Sequence, residues 1–572
     1  MKIDNKIDQS SEQYFDAIVI GSGISGGWAA KELCEGNLRT LLLERGRNVR
    51  HVVDYPTANM DPWEFPYAGG LSKAFRKENP IASRAAGIGE SNKHFFTKDK
   101  DQEYIQEKPF DWIRGYQVGG KSLIWGRACQ RWSHFEFTAP ERLNYGMNWP
   151  IGYDDVADWY SHVEKYIGVC GTQDHLESMP DGEFLPPFDF NKVELHIRDS
   201  ILNRYKNRYL VHARWAHLTQ AKDIHKQQGR VNCQARNACM SGCPFGGYFS
   251  SVSSTIPWAE KTGNLTLKPS SLVKEILYDE KLGKATGVRV LNTETNEETT
   301  YYSKIIFLNA STLNSNLILL NSKSQRFPHG LGNDHGLLGK YIGFHNYRGS
   351  VSADVPGFLE DYYFGRNPSE NILANYVNLG KQDRPFVGGY TTFLAARRHR
   401  GRIDKNLPEV GAAFKDNLSE VGPWYVYMYM QGETIMKASN QVSLSATEKD
   451  KYGIPQLITS VDYDDNDEKM LADFLTQSAE MLKVAGCQNI NTHDNKIAPG
   501  LDIHEMGGVR MGTGPTNSML NKWNQLHLCP NVFVTDGACM TSTGNQSPSI
   551  LYMALTARAC HYAMEEIKKG NL

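Results

Sequence analysis

Three cysteines stand close together in this sequence. Cys233, Cys239 and Cys243 fall within eleven positions of the stretch NCQARNACMSGCPFGGY, whereas the 572-residue chain has only ten cysteines in all. Three such residues can hold a metal centre, or they can be free thiols in a tight glycine-rich loop. A tetrahedral zinc site fits the spacing poorly, because it needs ligand pairs two to four residues apart and a fourth ligand. The other seven cysteines are scattered and do not indicate a disulfide framework.

A glycine pattern near the N-terminus can hold phosphates. Gly21, Gly23 and Gly26 form G-x-G-x-x-G directly after the apolar run AIVI. In this pattern the first glycine permits a tight turn, the second lets the backbone approach a pyrophosphate, and the third packs a helix against a strand. Glu44 ends the next apolar run, where a carboxylate can accept hydrogen bonds from ribose hydroxyls. The sequence therefore predicts a strand–turn–helix–strand unit that binds a dinucleotide, either FAD or NAD.

Three further segments carry a resemblance to a known family. They are GYQVGGKSLIWG (115–126), KIIFLNASTLNSNLILLNS (304–322), and HEMGGVRMGT (504–513) with the following NVFVTDGACMTSTGNQSPSILYMALTARA (531–559). Together with the glycine pattern they resemble the glucose–methanol–choline family of FAD-dependent oxidoreductases over nearly the whole chain. The resemblance implies an α/β fold. A Rossmann-like FAD-binding domain would be interleaved with an α+β substrate-binding domain, whose antiparallel sheet forms a roof over the flavin.

The resemblance also implies which residues contact the cofactor. They are Gly119 and Gly120 in the second glycine loop, and Asp536 and Gly537 at the end of a strand over 532–535. A last helix from about 549 to 568 would direct its positive end at the isoalloxazine ring. Some family members tether FAD through a histidine after the second glycine loop. Residues 122–125 contain none, so we expect non-covalent FAD.

The family's catalytic pair maps onto His504 and Asn545. His504 opens the H-x-x-G segment, and Asn545 precedes the last helix. Alcohol oxidation removes a hydroxyl proton and transfers a carbon-bound hydride to flavin. A neutral imidazole suits proton removal near pH 7. A carboxamide can orient the hydroxyl and stabilise alkoxide charge without acting as a base.

The cysteine stretch resembles the cluster segment of bacterial FAD-dependent glucose dehydrogenase catalytic subunits, including the proline at position 244. The resemblance implies a [3Fe–4S] cluster, in which Cys233, Cys239 and Cys243 bind three corners and the fourth is vacant. Zinc, or three free thiols, remain the alternatives.

The matched segments alternate along the chain with segments of another kind. We predict a discontinuous FAD-binding domain from 1–50, 113–130, 228–330 and 500–572, a covering segment over 51–112, and a substrate-binding domain from 131–227 and 331–499. WYVYMYMQGE (424–433) alternates with period two, as in a half-buried strand, and DYDDNDEKM (462–470) indicates a helix N-cap. His345 is expected to be structural.

Composition excludes several kinds of partner. The charged residues nearly balance, at 62 basic and 64 acidic, so nucleic acid is not indicated, and no apolar run is long enough to span a membrane. The N-terminus carries no signal-peptide pattern. Together with the resemblance, this favours a sugar dehydrogenase that oxidises a pyranose or glycoside, preferably at the 3-position of glucosides. Its electrons would leave through the cluster to a cytochrome or quinone.

The resemblance implies partners and a location as well. A small subunit carrying an export signal would bring the chain to the periplasm, and without it the chain would be cytoplasmic. The alternatives are an oxygen-using pyranose or glycoside oxidase, a gluconate or polyol dehydrogenase flavoprotein subunit, and a flavin electron carrier without substrate chemistry.

Overall fold

The secondary structure is given by a computed structural model, which describes residues 12–361, 370–400 and 410–572. Its strands are β1 Tyr14–Ile20, β2 Thr40–Leu43, β3 Ile105–Gln106, β4 Val169–Cys170, β5 Phe184–Leu185, β6 Leu210–Val211, β7 Leu265–Lys268, β8 Ser271–Asp279, β9 Lys284–Asn292, β10 Glu298–Leu308, β11 His345–Asn346, β12 Gly349–Val355, β13 Asn371–Leu373, β14 Tyr390–Arg400, β15 Val421–Glu433, β16 Gln441–Lys449, β17 Pro455–Ser460, β18 Gln488–Asp494, β19 Gln525–Leu526 and β20 Cys529–Val534. Its α-helices are α1 Ile24–Glu35, α2 Lys73–Glu78, α3 His134–Arg142, α4 Ala157–Ile167, α5 Lys192–Arg204, α6 Asp223–Gln227, α7 Thr255–Lys261, α8 Thr312–Asn321, α9 Ala412–Ser419, α10 Asp465–Val484 and α11 Ser549–Lys569. Parts of two predicted domains, residues 1–11, 362–369 and 401–409, lie outside the described residues.

A parallel sheet forms the first structural unit. Five parallel strands follow the order β20–β10–β1–β2–β7, with β19 antiparallel at one edge and β8 and β9 antiparallel beside β10. In β1, Ala17 and Val19 belong to one hydrophobic core, and Ile18 and Ile20 belong to another. Because both faces of this strand are buried, its sequence is continuously apolar rather than alternating. The predicted strand–turn–helix–strand unit is confirmed as β1, α1 and β2.

The ends of three central strands meet at one edge of this sheet. Ile20 pairs with Leu308, and Leu308 pairs with Val534, so β1, β10 and β20 end side by side. Each strand runs directly into a predicted cofactor segment. The carboxyl edge of a parallel sheet is where such folds bind their ligands, so the topology brings three distant stretches of sequence to one place.

An antiparallel sheet forms the second unit. Its order is β18–β12–β15–β14–β13–β6, with β11 also paired to β15. The predicted strand at 424–433 lies within β15, and its burial alternates before becoming continuous from Met430 to Glu433. Asp464 caps α10 through a capping box with Asp467, as the sequence predicts. The α/β fold class with a second antiparallel sheet is therefore confirmed.

A buried ion pair ties the segment after the second glycine loop to α4. Arg131 donates two hydrogen bonds to Glu164, from Nε to Oε1 at 2.9 Å and from Nη2 to Oε2 at 2.6 Å, and the Glu164 side chain has no exposure. This bidentate pairing of guanidinium and carboxylate offsets part of the free-energy cost of burying both charges. Among the described residues, no helix has the length and apolarity required to cross a bilayer.

Candidate active site

A cavity of about 570 Å³ lies between the two sheets. Its walls come from the glycine turn, the loop at 115–126, the start of α8, residues 501–505 and the start of α11, and from Tyr347, Phe393 and Tyr429 of the second unit. Part of the wall also comes from residues 51–112, through Ala86, Gly87 and Gln102. The volume is in the range of cofactor and ligand sites.

The glycine turn has the geometry that its pattern predicts. Gly21 adopts a φ of +94°, a left-handed conformation that favours glycine. A Cβ added to Gly26 would stand 1.7 Å from the Gly21 carbonyl oxygen, so only glycine lets α1 start this close to the turn. Gly21 and Gly23 line the cavity, whereas Gly26 packs behind them. The backbone N–H groups at the start of α1 can therefore face a phosphate.

Ser22 joins three parts of the cofactor edge. Its hydroxyl donates to Glu44 Oε2 at 2.6 Å and accepts from the Gly119 N–H at 3.0 Å. Glu44 is buried, lines the cavity and also accepts from the Gly46 N–H at 2.9 Å. Burial raises the pKa of its carboxyl above the usual range. Sequence reasoning missed Ser22, although its place inside the glycine pattern could have suggested it.

The second glycine loop approaches the first. Gly119 and Gly120 both have positive φ values, and a Cβ on Gly120 would stand 3.2 Å from the Gly23 Cα. Gly120 lines the cavity, whereas Gly119 only turns the loop. Nearby, the Arg45 guanidinium lies 4.0 Å from the centre of the Tyr116 ring, and both residues line the cavity. They provide a flat surface beside Glu44 on which an aromatic base can stack.

The C-terminal segments supply a further part of the cavity wall. Asp536 and Gly537 line it, and Asp536 accepts from Ser315 Oγ at 2.6 Å and from the Ala538 N–H at 3.0 Å. Burial raises the pKa of Asp536 to about 6. The predicted last helix is α11, which starts at Ser549 with Ser549 and Tyr552 on the cavity wall.

Several buried polar atoms on this wall have no hydrogen-bond partner among the described residues. They are Asn309 Nδ2, Asp502 Oδ1, Glu505 Oε1 and the Tyr552 hydroxyl. Such atoms are costly unless something satisfies them. A large polar cofactor would do so, and the glycine turn, Glu44 and Asp536 are the groups that would hold the phosphates and sugar of FAD. The residues present therefore fit FAD.

His504 lines the same cavity, as the sequence predicts. Its Nδ1 lies 2.9 Å from Nδ1 of His345, which is fully buried on β11. Burial lowers the pKa of His504 well below the usual range, so the ring is neutral near pH 7. Close by, Lys121 Nζ forms an ion pair with Glu505 Oε2 at 3.1 Å. A neutral imidazole on the cavity wall can accept a proton from a bound hydroxyl, as a general base does.

Asn545 does not stand where the sequence places it. Its carboxamide donates to Glu136 Oε1 and accepts from Thr391 Oγ1, both at 2.9 Å, and it does not line the cavity. The expectation that its carboxamide lies beside His504 at the cavity is corrected for this reason, since hydrogen bonds to Glu136 and Thr391 hold it away from the cavity lining. Two residues later, Ser547 lines the cavity instead.

The Ser547 hydroxyl belongs to a small network below the antiparallel sheet. Gln431 Oε1 accepts from the Tyr347 hydroxyl at 2.8 Å and from Ser547 Oγ at 3.2 Å, while its Nε2 donates to the Asn545 carbonyl. Tyr347 and Ser547 line the cavity, but Gln431 is fully buried behind them. Gln431 therefore fixes two cavity hydroxyls rather than facing a substrate itself.

Aromatic side chains also line the cavity. Phe393 and Tyr429 stack with ring centres 5.0 Å apart and planes 12° apart, and Trp215 and Tyr347 extend the surface. Glu370 and Arg127 add charged groups at its margin. Flat apolar faces surrounded by polar groups suit a ring-shaped polyhydroxy ligand, because the ring faces can stack while the hydroxyls form hydrogen bonds.

The cysteine loop lies directly behind one wall of the cavity. Arg127 Nη2 donates to the Cys239 carbonyl at 3.2 Å, and both Arg127 and Met240 line the cavity. The three thiols are half-buried, and the Gly247 N–H approaches Cys243 Sγ at 3.4 Å. Burial raises the pKa of Cys239 to about 11. His225 is not available as a fourth ligand, because its ring nitrogens contact the Lys165 carbonyl and the Lys222 N–H.

Comparisons with known proteins agree with this arrangement. Two family models described as GMC oxidoreductase match residues 15–345 and 437–556. The chain is 24% identical to 2-methyl-1,2-propanediol dehydrogenase of Mycolicibacterium austroafricanum, across 97% of this chain and 96% of that protein. It is 23% identical to the fructose dehydrogenase large subunit of Gluconobacter japonicus (97% and 98% covered) and 24% identical to paromamine 6'-oxidase of Streptomyces fradiae (96% and 91% covered).

A solved structure shares the fold. It is a mutant of Aspergillus oryzae formate oxidase, studied for the effect of the mutation on FAD modification. Its TM-score to this chain is 0.61 and its sequence identity is 13%. The match covers 98% of this chain and all of that one.

Proposed function

Because this chain belongs to the GMC oxidoreductase family, FAD-dependent enzymes that act on alcohol CH–OH groups, we propose that it oxidises a secondary hydroxyl of a pyranose sugar or glycoside to a ketone. The 3-position of glucosides is the favoured target. The observation that carries the proposal is the position of the neutral His504 imidazole on a cavity that aromatic side chains also line.

His504 removes the hydroxyl proton of the substrate in this proposal. As the O–H bond breaks, the proton moves to the imidazole, and the carbon–oxygen bond gains double-bond character as the carbon-bound hydrogen leaves with its electron pair. FAD, when bound, supplies the acceptor for that hydride. The Ser547 and Tyr347 hydroxyls position the substrate by accepting hydrogen bonds from its other hydroxyls, since both line the cavity and donate their own hydrogens to Gln431. Phe393 and Tyr429 hold the sugar ring and exclude water.

We propose that electrons leave through a [3Fe–4S] cluster bound by Cys233, Cys239 and Cys243. Among the described residues, the three sulfur atoms do not all lie within 4.8 Å of one another. A single zinc ion would require all three sulfur atoms to lie within this distance, because two sulfurs each bound to zinc at about 2.3 Å cannot be more than about 4.6 Å apart. A cuboidal cluster places each thiolate on a different iron and accepts wider spacing. The loop's contact with the cavity wall through Arg127 and Met240 supports a short electron path.

A partner is part of the proposal. Relatives are named as a large subunit and as a flavoprotein, the latter a gluconate 2-dehydrogenase of Pantoea cypripedii that is 21% identical over 97% of this chain. We propose a small subunit that carries the export signal, so that the enzyme works in the periplasm and passes electrons to a cytochrome or quinone. Co-expression with and without a candidate small subunit, followed by fractionation, tests both points.

The experiment for the proposed reaction is anaerobic flavin reduction. Purified enzyme mixed with a panel of glucosides, gluconate and polyols is expected to lose its flavin absorbance with a pyranoside and to yield a ketone detectable by NMR. His504→Ala is expected to slow reduction by about 100-fold or more. Reduction at the wild-type rate in that variant would refute the proposal, and a preference for gluconate or a polyol would redirect it to that substrate class.

The experiment for the cluster is metal analysis. Cys239→Ser and Cys243→Ser are expected to lose iron and acid-labile sulfide, whereas Cys487→Ser, in the core of the second unit, is the matched control that keeps both. The competing function is an oxygen-using oxidase, which the relatedness to paromamine 6'-oxidase favours. Iron-free protein that forms peroxide during turnover would establish that alternative.

A further inference from the structure

His345 stands behind the proposed base and has no role in the reaction described so far. It is fully buried on β11, does not line the cavity, and uses both ring nitrogens. Its Nε2 lies 3.1 Å from the carbonyl oxygens of both Thr543 and Gly544, and its Nδ1 lies 2.9 Å from Nδ1 of His504. The two rings are nearly perpendicular, at 85°, with centres 5.1 Å apart.

The proton positions follow from these partners. Carbonyl oxygens can only accept, so Nε2 of His345 must carry a hydrogen. A neutral imidazole has a single N–H, which leaves Nδ1 of His345 as an acceptor. The hydrogen between the two rings therefore belongs to Nδ1 of His504, and the other nitrogen of His504, Nε2, is left without one.

Burial keeps His345 neutral, although a carboxyl lies close to its ring. Burial lowers the pKa of His345 to about 4. Asp502 accepts from the His345 backbone N–H at 2.8 Å, and its carboxyl, whose pKa burial raises to about 7, lies within 4.8 Å of both imidazoles. Lys121, which is paired with Glu505, disfavours a proton on His504. The backbone adds a constraint, because Ile503 has a φ of +64°, which is unusual for a β-branched residue.

We propose that His345 is a positioning residue that holds His504 in the tautomer with hydrogen on Nδ1 and a free lone pair on Nε2. The hydrogen-bonded series runs from the Thr543 and Gly544 carbonyls through His345 to His504. When Nε2 of His504 accepts the substrate's hydroxyl proton, the lone pair of His345 stabilises the resulting imidazolium through the same Nδ1–H bond. The proposal rests on the proposed function, because it assigns His504 as the base.

The same three side chains could instead hold a cation. The ligand atoms of His345, Asp502 and His504 all lie within 4.8 Å of one another. Each nitrogen of His345 is already used in a hydrogen bond, however, and the two Nδ1 atoms face each other at hydrogen-bond distance. Metal analysis therefore belongs in the test.

Two substitutions separate the tautomer effect from loss of packing. His345→Gln keeps a donor for the two carbonyls, which orients its amide so that the oxygen accepts from His504. His345→Leu removes both functions. We expect His345→Leu to slow anaerobic flavin reduction by about 10- to 100-fold and to shift its pH profile, whereas His345→Gln stays within about tenfold of wild type.

Magic-angle-spinning NMR of the FAD-loaded, ¹⁵N-histidine-labelled enzyme gives a readout independent of activity. The His504 signals, identified by difference from His504→Ala, are expected to show a protonated Nδ1 and an unprotonated Nε2. The opposite tautomer in the wild type would overturn the proposal, as would a stoichiometric metal ion lost in His345→Gln. Wild-type reduction in His345→Leu, with His504→Ala inactive, would overturn the role of His345 and leave the proposed function intact. Undiminished reduction in His504→Ala would instead refute the proposed function.

Discussion

Replacing Gly26 with alanine is expected to damage the cofactor site by displacing the turn in front of it. The new Cβ would stand 1.7 Å from the Gly21 carbonyl oxygen, whereas ordinary contacts begin at 3.4 Å, so the backbone must separate by roughly 1.7 Å. Alanine in α1 gains about 1 kcal/mol of helix propensity, but overpacking of this kind costs about 3 kcal/mol. The net loss is about 2 kcal/mol of the free energy of unfolding.

Two assays and two other glycines test this reasoning. Guanidinium unfolding of apo-protein measures stability, and titration with FAD measures affinity, which is expected to fall at least about tenfold in Gly26→Ala. Gly152→Ala is the neutral control, since its Cβ meets no atom within 4 Å. Gly23→Ala also meets no protein atom but lines the cavity, so it should keep apo stability while losing FAD. Wild-type stability and FAD content in Gly26→Ala would refute the argument.

Three further predictions concern buried polar groups. Glu164→Ala should lower the free energy of unfolding by about 3 to 5 kcal/mol because it strands a buried guanidinium, whereas Lys165→Ala, at an exposed pair, should change it by less than about 1 kcal/mol in the same denaturant titration. Burial raises the pKa of Asp467 to about 8, so its contribution to stability is complete below about pH 4 and is lost as the pH rises to 8. Asp467→Asn should flatten thermal stability over that range, and an unchanged slope would contradict the assignment. Ser547→Ala should slow flavin reduction about tenfold with FAD content intact, while Asn545→Ala should act mainly on thermal stability; the reverse pattern would restore Asn545 as the catalytic partner.

Local sequence was sufficient for the cofactor-binding core. The continuous apolar run of β1, the glycine spacing and the acidic end of β2 each reflect a constraint that acts over a few residues, and the structure confirms the unit they predict. The alternating burial of β15 and the capping box of α10 are local in the same sense. Domain boundaries remain a prediction.

The positions of side chains in the site were less accessible, because they depend on partners far away in the sequence. Asn545 and Ser547 are two residues apart, and which of them faces the cavity is decided by Glu136 and Thr391, which hold Asn545 elsewhere. His345 was interpreted as structural because no local pattern shows that its Nδ1 meets His504 across 159 positions. Ser22 was overlooked because its role depends on Gly119 in another segment.

The order of strands in the parallel sheet has a consequence for biosynthesis. β1 lies between β2 and β10, and β10 pairs in turn with β20, so β10 and β20 leave the ribosome some 300 and 500 residues after β1. Until β20 and α11 have been synthesised, the nascent chain lacks the part of the cavity wall that the C-terminal segments supply. Flavin loading must therefore follow translation, and an unpaired edge of β10 has to be protected meanwhile.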